Sequence, residues 1–143
     1  MNITIYTDGA CSGNPGIGGW GAVILIPQQK TIFLHGGSHK TTNNKMELTA
    51  AIKVLQYFDK PQNLELYTDS KYVMNGIESW VKNWKKNGWK TSAKKPVKNR
   101  ELWEALDIEI VKHQIKWLWV KGHDGNEYNE KADFLARRYI EEN

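Results

Sequence analysis

Ile3-Thr4-Ile5-Tyr6-Thr7-Asp8 near the start and Leu64-Glu65-Leu66-Tyr67-Thr68-Asp69 near the middle each read as a β-strand that ends in an aspartate. Between them, residues 20–26 and 31–38 read as two further strands, with Pro27, Gln28, Gln29 and Lys30 as the turn of an antiparallel hairpin. Thr42, Asn43 and Asn44 offer N-caps to a helix in which Ala50, Ala51, Val54, Leu55 and Phe58 recur at helical spacing, and Pro61 stops it. After Asp69 a short helix starts at Ser70 and is interrupted at Gly76; helix resumes over 78–87 and stops at Gly88. Residues 89–98 read as loop, and Asn99 as the cap of a helix to about His113. A fifth strand covers 114–120, a mobile-looking loop 122–125, and a last helix 127–140.

Three strands on short turns, followed by alternating helices and strands, give an α/β fold. The expected architecture is a five-stranded mixed sheet flanked by helices. Strands 1–3 are antiparallel, and strands 1, 4 and 5 are parallel through right-handed crossovers. In such sheets ligands bind beyond the carboxyl ends of the strands, where Asp8 and Asp69 both lie.

The 143 residues suit one domain, 1–143, with 40% hydrophobic and 25% charged residues. A single cysteine, Cys11, excludes an internal disulfide and fits a reducing compartment. No apolar run reaches membrane-spanning length, and the N-terminus enters a strand at once instead of forming a signal peptide. The expected location is the cytoplasm, with no membrane partner. The net charge of +4 is uneven: residues 79–100 hold eight basic residues and no acidic one, so the rest of the chain stands at −4. A compact basic block on a mildly acidic body points to a polyanion.

Taken singly, the acids have bland explanations. Asp8 before Gly9 could form a turn, Asp69 before Ser70 could start a helix, and Asp133 could sit exposed at the edge of an apolar stripe with Ala136 and Ile140. Glu47 is sharper, because helical spacing places it with Ala51, Val54 and Leu55 near the buried face. Together the four would require four separate accidents. Clustered acids repel, and their burial is costly unless a cation neutralises them, so the expected neutraliser is a divalent metal on oxygen ligands. His123, between glycines, suits a proton shuttle, whereas His35, His39 and His113 read as structural or surface residues. Trp80 and Trp84, one turn apart, read as a small local core, while the lysines around them read as phosphate contacts. The glycine-rich stretch 9–19 matches neither a P-loop nor a dinucleotide fingerprint, and its glycines read as allowing close approach to a nucleic-acid backbone.

Five segments in order resemble ribonuclease H of type 1, the bacterial ribonuclease HI family. They are Thr7-Asp8-Gly9-Ala10-Cys11-Ser12-Gly13-Asn14-Pro15-Gly16, Thr42-Asn43-Asn44-Lys45-Met46-Glu47-Leu48, Thr68-Asp69-Ser70-Lys71-Tyr72-Val73, Trp119-Val120-Lys121-Gly122-His123 and Asn129-Glu130-Lys131-Ala132-Asp133. The stretch Trp84-Lys85-Lys86-Asn87-Gly88-Trp89-Lys90-Thr91 resembles the family's basic protrusion, placed here at about 79–100. The resemblance implies the ribonuclease H-like fold and a monomer that cleaves RNA within RNA·DNA hybrids, leaving 5′-phosphate and 3′-hydroxyl ends. It implies two Mg²⁺ ions about 4 Å apart, with Mn²⁺ as a substitute. Carried over by position, Asp8 bridges both ions, Asp133 helps hold the one that activates water, and Glu47 and Asp69 hold the one near the leaving oxygen. His123 would move protons or assist product release. Asn14 and Thr42 would contact a DNA phosphate, and Cys11, Asn43 and Asn44 would lie along the minor groove. Trp84, Lys85, Lys86, Trp89, Lys90 and Lys94 would belong to the protrusion's grip. Lys71, where glutamine is common, and Asp124, beside His123, depart from the pattern without removing a ligand. Two other functions fit the same residues: an integrase-like or resolvase-like enzyme that cuts DNA, and a silent hybrid-binding module.

Overall fold

The computed structural model describes residues 2–91, 93–122 and 124–143. Its five strands are β1 (Ile3–Ser12), β2 (Gly16–Leu25), β3 (Ile32–Thr41), β4 (Asn63–Thr68) and β5 (Gln114–Trp119). The sheet order is β3-β2-β1-β4-β5. β1, β2 and β3 pair antiparallel, and β1, β4 and β5 pair parallel, as expected from the sequence.

Both faces of the sheet are covered. Ile3, Ile5, Ala22, Ile24, Leu64 and Leu66 turn to one face, where they pack with helix α1 (Asn43–Gln56) and with Trp103 and Leu106 of a helix we label α4 (Arg100–Ile110). Tyr6 and Val23 turn to the other face, under Ala132 and Leu135 of α5 (Glu127–Glu142). Period-two alternation carries this onward: Asp8 shares the face of Tyr6, and Asp69 that of Tyr67. The two tyrosines stack at 4.7 Å between ring centroids, in register across β1 and β4.

Three expectations need correction. First, β1 does not end at Asp8 but continues to Ser12, because its outer residues pair with β2. What ends there is the parallel pairing, whose last pair is Thr7 with Thr68, so Asp8 and Asp69 still emerge together. Most of the supposed glycine-rich turn is therefore strand, and only residues 13–15 form the turn. Its glycines serve helix packing: a Cβ on Gly19 would lie 2.0 Å from the Ala136 carbonyl oxygen of α5. Second, Gly76 does not break a helix. α2 (Lys71–Asn75) runs through a π-helical turn (Gly76–Trp80) into α3 (Val81–Lys86), with helical dihedrals at both joins. Gly76 is needed because a Cβ there would lie 2.0 Å from Trp103 Cη2. Third, Asn99 makes no side-chain cap for α4; its Nδ2 donates to Tyr72 Oη at 3.0 Å instead. Ser70 and Thr42 do cap, accepting from Val73 N at 3.2 Å and Lys45 N at 3.2 Å.

His113 is structural. Its Nδ1 accepts from Gln62 N at 3.1 Å and its Nε2 lies 3.3 Å from the Leu55 carbonyl, tying the foot of β5 to the end of α1. His35 and His39 are exposed on β3. Among the described residues, no helix is long and apolar enough to cross a membrane.

Candidate active site and nucleic-acid groove

Asp8 and Asp69 leave the sheet side by side, and α1 delivers Glu47 to them. That delivery depends on Gly9, where a Cβ would lie 2.5 Å from Glu47 N. With no side chain in the way, the first turns of α1 rest on β1. One carboxylate oxygen each from Asp8, Glu47 and Asp69 lies within 4.8 Å of the others. Asp8 and Glu47 are buried and Asp69 is half-buried. Asp133 of α5 stands outside this closed trio. Its charge acts on Asp8 from the helix side, and it accepts from Arg137 Nε at 3.0 Å.

The electrostatics follow from this crowding. Burial, then the charges of Asp69 and Asp133, push the Asp8 carboxyl from 3.8 up to about 9; only the Gly9 backbone N–H, 2.9 Å from Oδ1, acts the other way. Glu47 is raised well above its ordinary value, again by burial first and then by Asp8 and Asp69. Its Oε1 is buried and has no hydrogen-bond partner among the described residues. An orphaned carboxylate oxygen, two acids forced toward neutrality and an all-oxygen donor set fit a hard divalent cation. That is the chemistry expected of these acids from the sequence.

The other predicted residues fall into two neighbouring regions. In the first, Asn14 Oδ1 accepts from Asn43 N at 3.1 Å, which leaves its amide N–H groups free to donate. Thr42 Oγ1 is occupied as an acceptor by the cap, which leaves its hydroxyl proton available. Asn14, Thr42 and Asn44 line a concavity of about 480 Å³ together with Lys40, Lys45 and Lys98. Cys11 is half-buried, with Sγ 3.4 Å from the Thr41 carbonyl.

In the second region, Trp84 is half-buried in an aromatic cluster, 5.8 Å from Trp80, 6.5 Å from Trp89 and 5.6 Å from Trp103 between ring centroids. The local-core reading of Trp80 and Trp84 therefore holds. Trp80, Trp84, Lys90 and Lys98 line a second concavity of about 550 Å³. Lys98 lines both, so the two regions meet there. Lys86, Lys90 and Lys94 are exposed, whereas Lys85 is paired with Asp107 at 3.1 Å. The first concavity is lined in part by the N-cap and first turn of α1, the helix that carries Glu47.

His123 lies outside the described residues. Lys40, Lys45 and Lys98 were not singled out from the sequence as site residues, because their convergence arises only when β3, α1 and the 89–99 loop come together. Asn129 was also missed. It is buried and its Nδ2 donates to Asp69 Oδ2 at 3.4 Å. The available signal was its spacing, one helical turn before Asp133.

The RNase H family model matches residues 1–141. The chain belongs to the RNase H family. A ribonuclease H of Dechloromonas aromatica (strain RCB) is 55% identical over 141 residues, covering 98% of this chain and 94% of the relative. Among solved structures, LC9-RNase H1, a type 1 RNase H with the type 2 active-site motif, superposes with a TM-score of 0.84 at 29% identity, over 96% of this chain and 71% of that one. LC11-RNase H1, solved in complex with RNA/DNA hybrid, has a TM-score of 0.72 at 23% identity, over 98% and 97% of the two chains. The sheet order and parallel set of this chain are those of the RNase H-like fold.

Proposed function

We propose that this chain, a ribonuclease H by family, cuts the RNA strand of RNA/DNA hybrids at the Asp8–Glu47–Asp69 cluster. It does so with two Mg²⁺ ions and leaves 5′-phosphate and 3′-hydroxyl ends. The carrying observation is the closed trio of carboxylates with the orphaned Glu47 oxygen. Asp8, placed between Asp133 and the Glu47–Asp69 side, would serve both ions; Asp133 would complete one and Glu47 with Asp69 the other. Held there, Mg²⁺ would supply a Lewis acid that activates the attacking water and neutralises charge at the leaving 3′ oxygen. His123 is the proposed proton carrier, on its sequence position alone.

The remaining residues bind and orient. Asn14 and Thr42 would donate to a DNA-strand phosphate in the concavity that Lys40, Lys45 and Lys98 make positive. Cys11, Asn43 and Asn44 would follow the minor groove, where RNA 2′-hydroxyls distinguish the strands. Lys86, Lys90 and Lys94 would extend the grip along the flank, with Trp84 and Trp89 as the aromatic support beneath. One chain supplies the carboxylates and both concavities, which supports action as a monomer, and the single cysteine supports a reducing, cytoplasmic setting.

The test is cleavage of end-labelled RNA/DNA hybrid, duplex RNA and plasmid DNA, each with Mg²⁺ and with EDTA. Mg²⁺-dependent cutting of the hybrid's RNA strand alone is the expected result. Plasmid cleavage would favour the DNA-cutting alternative, and hybrid binding without cleavage would favour a silent module.

A further inference from the structure

Two groups that are not themselves candidate ligands meet one oxygen of Asp69. Asn129 is 2% exposed, and its Nδ2 donates to Asp69 Oδ2 at 3.4 Å. Its backbone is fixed as well, because Asn126 Oδ1 caps α5 by accepting from Tyr128 N at 3.0 Å and Asn129 N at 2.9 Å. Gly122, just beyond β5, packs against the same carboxylate. A Cβ there would lie 2.6 Å from the same Asp69 Oδ2. The end of β5 is itself tied to β4, through Val120 N and the Thr68 carbonyl at 3.0 Å.

The residue types are informative. The buried positions of α5 that only fill space are Ala132, Leu135 and Ala136. A carboxamide at a position as buried as these costs desolvation, which it recovers only through its hydrogen bond. The amide N–H can serve a carboxylate only as a donor, and a donor on one oxygen fixes the plane of both. One face of α5 thus presents Asp133 to Asp8 and, a turn earlier, Asn129 to Asp69.

We propose that Asn129 is a positioning residue for the reaction. Its amide, with Gly122 packed against the same oxygen, sets the orientation in which Asp69 meets the cation. This rests on the metal-site reading above. Partners of this kind that orient a metal-binding carboxylate typically contribute about 10–100-fold in metal affinity.

Asn129→Ala and Gly122→Ala test it, singly and together. Three quantities are compared with the wild-type chain: Mg²⁺ binding by calorimetry without substrate, the Mg²⁺ concentration giving half-maximal hybrid cleavage, and the melting temperature in EDTA. Each single variant should weaken Mg²⁺ in both titrations by about 10-fold or more. Turnover at saturating Mg²⁺ should fall less. Because both changes act on one oxygen, the double variant should lose less than the product of the singles. Gly122→Ala removes no buried hydrogen bond, so it keeps the test open if Asn129→Ala fails to fold. A lower melting temperature with unchanged Mg²⁺ affinity would reduce Asn129 to a core residue and overturn the inference. A wild-type chain that neither binds Mg²⁺ nor cuts hybrids would overturn the metal-site reading itself.

Discussion

Replacing Asp8 with asparagine should remove activity and raise stability together. The carboxyl is pushed from 3.8 up to about 9, chiefly by burial and then by Asp69 and Asp133. In the metal-free fold it therefore keeps a proton that the unfolded chain releases above about pH 4. Between these two values the native state binds more protons than the unfolded state, so stability falls as pH rises. Holding that proton from 3.8 to neutrality costs ~1.4 kcal/mol per pH unit, a ceiling of about 4 kcal/mol at about pH 7. Asparagine keeps the shape and has no proton to lose. A gain of about 2–4 kcal/mol, or roughly 5–12 °C in melting temperature, is expected near neutral pH in EDTA. The assay is thermal unfolding of both proteins across about pH 4 to 9. The curves should meet at the acid end and diverge upward. Mg²⁺ should then stabilise the wild-type chain more than the variant, which binds hybrid but does not cut it. A variant that melts at or below the wild-type chain at about pH 8 in EDTA, or a pH dependence parallel to it, would refute the burial argument.

Two further expectations concern the groove and its support. Replacing Lys85, Lys86, Lys90 and Lys94 together with alanine should raise KM for long hybrids and change kcat much less. Each lost phosphate contact should flatten the log–log salt dependence by about one unit or less, with Lys85 contributing least because Asp107 already balances it. Kinetics at several salt concentrations check this, and an unchanged KM and slope would assign the grip to the Asn14–Thr42 concavity alone. Gly76→Ala, with its Cβ 2.0 Å from Trp103 Cη2, should cost about 1–3 kcal/mol or more, since Trp103 is fully buried. A melting curve within about 1 °C of wild type would show that the aromatic cluster can yield.

The sheet was legible because period-two alternation and short turns are local signals, and the meeting of Asp8 with Asp69 followed from strand direction. Glu47 was legible because a charged residue broke an apolar helical face. Features that depend on a distant neighbour were not. Gly76 looks like a helix breaker until Trp103, from α4, is seen against it. Asn99 looks like a cap until Tyr72 takes its side chain. The glycines of β2 look like a turn until α5 lies across them. Asp133 was legible as a fourth acid, and its i,i+4 bond to Arg137 is local to α5, but its place outside the closed trio depends on where α5 docks.

These hidden dependences share a cause, and it bears on the chemistry. A cluster of acids is unfavourable by itself, so the fold must force it together, and it does so with residues that add little bulk or a single donor. Gly9 admits Glu47, Gly122 crowds Asp69, and Asn129 holds Asp69 from α5. A side chain at Gly9 or Gly122 would run into Glu47 N or Asp69 Oδ2 and spoil the geometry that a cation requires. The stability gained by Asp8→Asn and the metal affinity lost by Asn129→Ala are therefore two readings of one constraint: the acids are packed for an ion, and the metal-free protein carries the strain of holding them ready.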